Sequence, residues 1–186
     1  MEQRIKELAV VDSFLADPLT VREAGLAAPY VDWPGPDGET YKRVYLTNVP
    51  GVQDAIEQAM GRPVDMLGMG YRLNFGGELP NAAIHSDMGW GTHALVLYLS
   101  DGIGGTAFWR HKETGAARME PGDMDLYERV HNDWDDESKW DMVELARIQF
   151  NRAILYESAL FHSRYPFAAF GTGYQDGRLI VVAFFN

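Results

Sequence analysis

From residue 64 to its end the chain breaks into short β-prone runs separated by turns containing glycine or proline. No other feature constrains the fold as much. The runs are 65–75, 82–86, 93–100, 105–110, 143–150, 152–158 and 178–185. Many short strands with turn signals between them predict a sandwich or barrel. The exception is 123–139, which reads as a helix or an ordered acidic insertion. Ahead of the β-rich part, residues 7–14 read as an opening strand. Asp17 followed by Pro18 marks a helix start, an N-cap carboxylate before proline at the first helical position, with the helix reaching Ala27 or Ala28. Residues 30–38, with Pro34 and Pro36 around Gly35, read as a loop. A second short helix is predicted over 51–60, with Val52, Ala55, Ile56 and Ala59 on one face and Gly61 as its stop. The expected fold class is mainly β with flanking helices. The expected organisation is one domain over 1–186, with a strand and helices in 1–63 and a β core in 64–186 carrying an insertion at about 111–141.

Composition excludes several chemistries. There is no cysteine, which removes disulfides, thiolate nucleophiles and thiolate metal ligands, and fits a reducing cytoplasm. Any metal must be bound by His, Asp and Glu. The formal charge is −11, with acidic residues concentrated between Asp123 and Glu144. Such a surface repels phosphate backbones and anionic membranes, so neither nucleic acid nor a bilayer is an expected partner, and the acidic stretch reads as a solvated face. The longest apolar runs are too short to span a bilayer. The residues from Met1 to Glu7 contain no apolar leader core.

The chemical signal is Ile84-His85-Ser86-Asp87. In an extended segment residues two apart point to the same side, so His85 and Asp87 present an imidazole and a carboxylate to one point. Those are two members of the 2-His-1-carboxylate face that holds Fe(II) with open positions. His162, in Leu160-Phe161-His162-Ser163, is the candidate third ligand. A His-x-acid pattern is weak by itself, and the chain has two others, His131-x-Asp133 and His111-x-Glu113. His131 lies in a charged, surface-like run and His111 before a turn. Only His85 leads directly into a strongly β-forming run, 93–100.

His85-x-Asp87, Leu97-Tyr98-Leu99-Ser100, Gly104-Gly105-Thr106-Ala107-Phe108, Asn151-Arg152 to Tyr156 with Phe161-His162-Ser163, and Arg178 to Phe185 occur in this order. Together they resemble the core of the Fe(II)- and 2-oxoglutarate-dependent oxygenases, in their prolyl-4-hydroxylase-like branch. The likeness covers roughly 65–185, and 9–28 is similar to the strand-helix lead-in of that branch. The resemblance implies a double-stranded β-helix (jelly roll) with N-terminal helices on one sheet. It implies His85, Asp87 and His162 as iron ligands, and Arg178 as the anchor of the far carboxylate of 2-oxoglutarate. Tyr98 and Tyr71 match positions from which some members contact that cosubstrate. The sequence departs from the usual pattern in a long gap between His162 and Arg178, and in Ile180 where many members place Ser or Thr. Arg164 is the rival cation.

The implied activity is that of a dioxygenase releasing succinate and CO2 while hydroxylating a small molecule, a carrier-bound group or a peptide side chain. The alternatives are a non-catalytic jelly-roll binding module and a cupin-type metal-dependent isomerase or hydrolase. Specificity is expected in the loop segments 75–83, 109–141 and 165–177. The tryptophans at 90, 109, 134 and 140 read equally well as packing or as a substrate wall. Gly104-Gly105 reads as a turn needed for backbone geometry.

Overall fold

The computed structural model describes residues 7–35, 40–78, 83–168 and 171–186. The predicted strand at 65–75 is β4, Met66–Asn74, and the run at 93–100 is β5, His93–Tyr98. The next runs become β6, Gly105–His111, β7, Trp140–Arg147, and β8, Arg152–Glu157, while β9, His162–Tyr165, is a strand that was not among the predicted runs. The last strand, β10, is Arg178–Phe185. The opening strand is β1, Leu8–Val11, and the proline-capped helix is α1, Pro18–Leu26, with Asp17 Oδ1 accepting from the Thr20 amide at 3.2 Å. The second helix is α2, Val52–Met60, closed by Gly61 at φ +67°.

Two antiparallel sheets form the body. The larger runs β1-β8-β5-β10-β4-β3-β2 and the smaller β7-β6-β9, an arrangement that is mainly β and jelly-roll-like. Here β2 is Val31–Pro34 and β3 is Thr40–Leu46. The loop expected at 30–38 is therefore wrong over its first half, and β3 was not anticipated. Pro34 is tolerated because β2 is the outermost strand, where a missing N–H breaks no ladder on the open side. Pro36 and Gly38 lie outside the described residues, as do residues 1–6, where a leader was looked for. The run at 82–86 contributes an isolated bridge, His85 with His162, and Ala82 is outside the described residues.

The central strands are buried on both faces, which is why they read as continuous apolar runs. Leu95, Leu97, Leu179, Val181 and Phe185 face the helices, packing with Val21, Val52 and Ile56. Ala94, Val96, Tyr98, Ile154 and Ile180 face the smaller sheet, packing with Phe108 and Ala146. The outer side of the smaller sheet is covered by α3, Met124–Asp133, through Leu126 and Val130 against Trp109, Trp140 and Phe161. The acidic stretch is thus a helix followed by a 3-10 turn at Glu137–Lys139, as one of its two readings had it. It is more than a solvated face. His111 is fully buried, and its Nε2 lies 3.0 Å from Asp133 Oδ2, which ties α3 to β6.

Two joints hold the sandwich mouth. Gly104 has φ +88°, and a Cβ there would sit 1.9 Å from the Tyr165 carbonyl oxygen, so the turn into β6 needs glycine. Asn151, at φ +59°, accepts from the Leu15 amide and donates to the Leu15 carbonyl, both at 2.9 Å, pinning the N-terminal segment to β8. No helix among the described residues is long and apolar enough to cross a membrane.

Candidate metal centre and cavity

His85 and His162 face each other across the bridge and exchange both backbone hydrogen bonds, His85 N to His162 O at 3.0 Å and His162 N to His85 O at 2.8 Å. Directly opposed residues of this kind bring their side chains together, and here the ring centroids are 4.6 Å apart. Asp87, two residues along from His85, projects to the same side. Ligand atoms of His85, Asp87 and His162 all lie within 4.8 Å of one another. One neighbour along the strand and one across it make a three-sided face.

Tautomers are set by the backbone. His85 Nδ1 lies 2.7 Å from Ala83 O, and His162 Nδ1 lies 2.9 Å from Leu160 O. A carbonyl only accepts, so each Nδ1 carries the proton and each Nε2 turns a lone pair inward. Those lone pairs meet a carboxylate: Asp87 Oδ2 is 3.2 Å from His162 Nε2, and Oδ1 is 3.7 Å from His85 Nε2. Three electron-pair donors crowd one point, an arrangement suited to a cation between them.

The electrostatics favour a proton shared between His162 and Asp87, which a cation at this point would displace. Burial raises the Asp87 carboxyl, yet the field and hydrogen bond of His162, with His85 and Arg72, hold it below the usual carboxylate range. Burial lowers His162, but the Asp87 charge and hydrogen bond push it above the usual histidine value. The His85 side chain is half-exposed, and loss of hydration together with the His162 ring lowers it. Nitrogen and carboxylate donors without sulfur suit a divalent iron-group ion.

The three residues open on a cavity of about 350 Å³ between the sheets. Arg178 lies in its wall and is 5% exposed. Its Nη1 donates to Asn74 Oδ1 at 3.1 Å and its Nη2 to Thr106 Oγ1 at 3.3 Å. Tyr98 stands behind it, 5.3 Å from guanidinium carbon to ring centre, with its hydroxyl 2.8 Å from Thr106 Oγ1 and donating to Ala146 O at 3.3 Å. Directions are consistent along this chain: Thr106 accepts from Arg178, so its own proton goes to Tyr98. Tyr98 is fully buried and positions Arg178 through Thr106.

Tyr71 borders the cavity, but its hydroxyl is engaged elsewhere. Its hydroxyl donates to Val21 O at 3.1 Å, on the helix side of the sheet. The neighbouring Arg72 and Asn74 occupy the cavity side by strand alternation, and both line it. The Tyr71 side chain packs with the apolar Leu73, whereas Arg72 and Asn74 form the polar face. Arg164, expected in a loop, lies on β9 and lines the cavity, with Nη1 3.6 Å from Glu78 Oε2. Of the four tryptophans, Trp90 is in the cavity wall, Trp109 and Trp140 are buried packing residues, and Trp134 is on the surface. Tyr156 was missed. Its hydroxyl lies 3.1 Å from His162 Nε2 and 3.5 Å from Asp87 Oδ2. Its even spacing from Ile154 put it on the cavity-facing side, but nothing local marked it as close to a histidine six residues away across a turn.

Solved structures with this fold include several oxygenases. The chain aligns with the non-heme α-ketoglutarate-dependent carbocyclase SnoK from nogalamycin biosynthesis at 12% identity and TM-score 0.59, over 97% of this chain and 79% of SnoK. A prolyl hydroxylase from Trichoplax adhaerens, solved with a hypoxia inducible factor peptide, aligns at 10% identity and TM-score 0.59, over 96% and 83%. EctD from S. alaskensis, solved with bound Fe, aligns at 16% identity and TM-score 0.54, over 97% and 72%. The likeness is one of fold, the jelly-roll arrangement that these solved oxygenases share with this chain. No curated protein matches the sequence itself. Residues 84–185, more than half of the chain and the stretch that holds His85, Asp87, His162 and Arg178, match the Family of unknown function (DUF6445), and the chain belongs to that family.

Proposed function

We propose that the protein is an Fe(II)- and 2-oxoglutarate-dependent dioxygenase. The carrying observation is that the converging His85, Asp87 and His162 share one cavity with a buried arginine that is already oriented by side-chain acceptors. When bound, iron with 2-oxoglutarate supplies dioxygen activation coupled to oxidative decarboxylation, and so oxidation of a substrate C–H bond.

The chain's own part is placement. His85 and His162 offer neutral Nε2 atoms because Ala83 O and Leu160 O hold the Nδ1 protons. Asp87 supplies the anionic ligand, and Tyr156 is within reach to donate to its Oδ2. Arg178 binds the distal carboxylate of 2-oxoglutarate, its fork kept in plane by Asn74 and Thr106. Phe108 and Tyr156 wall His162 at 6.2 and 4.8 Å between ring centres, while the His85 side chain is half-exposed at the open side of the site. A cupin-type hydrolase or isomerase has no use for the Arg178 arrangement, which favours the oxygenase reading over that rival.

Anaerobic titration of Fe(II) and 2-oxoglutarate, followed by the metal-to-ligand charge-transfer band, tests this. The band is expected in the wild type and lost in His85→Ala and in Asp87→Ala. A wild-type protein that binds iron yet develops no band on adding 2-oxoglutarate would contradict the proposal.

A further inference from the structure

The chain carries a charge of −11, yet Arg72, Arg164 and Arg178 all line one cavity. Each needs an anion, since an uncompensated guanidinium in a partly desolvated wall is costly. Under the reading above, on which this inference rests, 2-oxoglutarate brings two carboxylates, one for the metal and one for Arg178. Arg164 has Glu78, which also pairs with Arg43. Arg72 is left over. Among the described residues it makes no ion pair, its Nε has no hydrogen-bond partner, and its guanidinium rests 5.0 Å from the ring centre of Tyr41. Burial, with Arg178 and Arg164 adding to it, lowers Arg72 to about 10, so it stays charged at neutral pH.

Arg72 also stands at the foot of an aromatic wall. Tyr41 and Trp33 are 5.9 Å apart, Trp33 and Trp90 5.7 Å, and Trp90 stacks on Phe184 at 5.4 Å and 24°. All four line the cavity and remain partly accessible. A cation beside a run of accessible rings matches a ligand with a flat apolar body and one anionic group.

We infer that Arg72 is the anchor for a substrate carboxylate, and that the oxidised molecule is a compact aromatic or similarly flat organic acid lying along Trp33, Trp90 and Phe184. The cavity, at about 350 Å³, is near the small end of ligand pockets, which fits a small molecule better than a peptide segment. Its outer wall comes from β2 and β3, two strands that lie outside the stretch matching the family.

Phenylacetate and phenylacetamide, which share a ring and differ in charge, are the test probes. Their binding is read by tryptophan fluorescence on anaerobic Fe(II)-loaded protein, with and without saturating 2-oxoglutarate. Phenylacetate is expected to bind at least about tenfold more tightly than the amide. In Arg72→Gln that preference falls below about twofold while 2-oxoglutarate affinity stays within about threefold of wild type. Arg72→Lys keeps the charge and most of the preference, so the proposal remains testable if the glutamine variant folds poorly. Equal binding of acid and amide, or no binding of the acid, overturns it. So does a loss of 2-oxoglutarate affinity in Arg72→Gln as large as in Arg178→Gln, which would make Arg72 a cosubstrate group. If 2-oxoglutarate itself fails to bind, the dioxygenase reading falls, and the acid-to-amide ratio measured without it still decides the role of Arg72.

Discussion

Replacing Arg178 by methionine keeps the volume of the side chain and removes its charge. In the folded protein the guanidinium is 5% exposed and donates to Asn74 and Thr106. Thr106 keeps Tyr98 as a partner, so the principal orphan is Asn74 Oδ1, at a cost of about 1–2 kcal/mol in stability. Relief of repulsion toward Arg72, whose field Arg178 opposes, offsets part of this. Binding should suffer more. A buried, two-pronged carboxylate contact that loses its cation forfeits roughly 2–4 kcal/mol, or roughly 30- to 1,000-fold in Kd. The assay is anaerobic titration of 2-oxoglutarate into Fe(II)-loaded Arg178→Met, with circular dichroism to verify folding and metal content measured in parallel. Iron should be retained, since the Arg178 hydrogen bonds to Asn74 and Thr106 involve none of the three candidate ligands. Arg164→Met should leave 2-oxoglutarate affinity within about threefold, because Arg164 already has Glu78. A folded Arg178→Met with wild-type affinity, or a large loss in Arg164→Met alone, would refute the assignment.

Three further outcomes follow from the geometry. Tyr156→Phe removes the hydroxyl 3.5 Å from Asp87 Oδ2 and should weaken iron binding about tenfold in competition with a chelator; unchanged affinity would show that the hydroxyl does not support the site. Tyr71→Phe should cost about 1 kcal/mol in thermal stability, through the lost bond to Val21 O, and leave 2-oxoglutarate affinity as it was; a weakened cosubstrate would restore the role first read from the sequence. Asp12→Asn probes acid stability. Arg152, at 2.5 Å, holds the Asp12 carboxyl below its usual value, so the pair stabilises the fold above the unfolded carboxyl pKa and is lost as pH falls through the lower folded value. Wild type and variant should therefore differ in melting temperature at neutral pH and converge below about pH 4, and a constant gap across that range would contradict the linkage.

Much of the fold was legible because the relevant signals are local. β10 was bounded correctly, and period-two alternation puts Arg178, Ile180, Val182 and Phe184 on one face, the face that lines the cavity in the fold. The Asp17-Pro18 start and the Gly61 stop are backbone chemistry that neighbours do not override. His85 and Asp87 were readable for the same reason, as a pair two residues apart. What failed was non-local. β2 is a strand because β3 lies beside it, and its proline is harmless only at an edge that cannot be located in one dimension. Arg72 was not considered, although the period-two pattern that puts Tyr71 with Leu73 on the apolar side leaves Arg72 on the opposite face. Tyr156 beside His162, and Arg72 beside Tyr41, are pairings that only the folded register creates.

Every role proposed for this cavity requires one ion shared by an imidazole pair and a carboxylate. Anomalous diffraction at the iron edge from crystals loaded anaerobically with Fe(II) would locate it directly. The expected result is a single peak between His85 Nε2, His162 Nε2 and the Asp87 carboxylate, lost in Asp87→Ala. A peak bound elsewhere, or none at full iron loading, would contradict it.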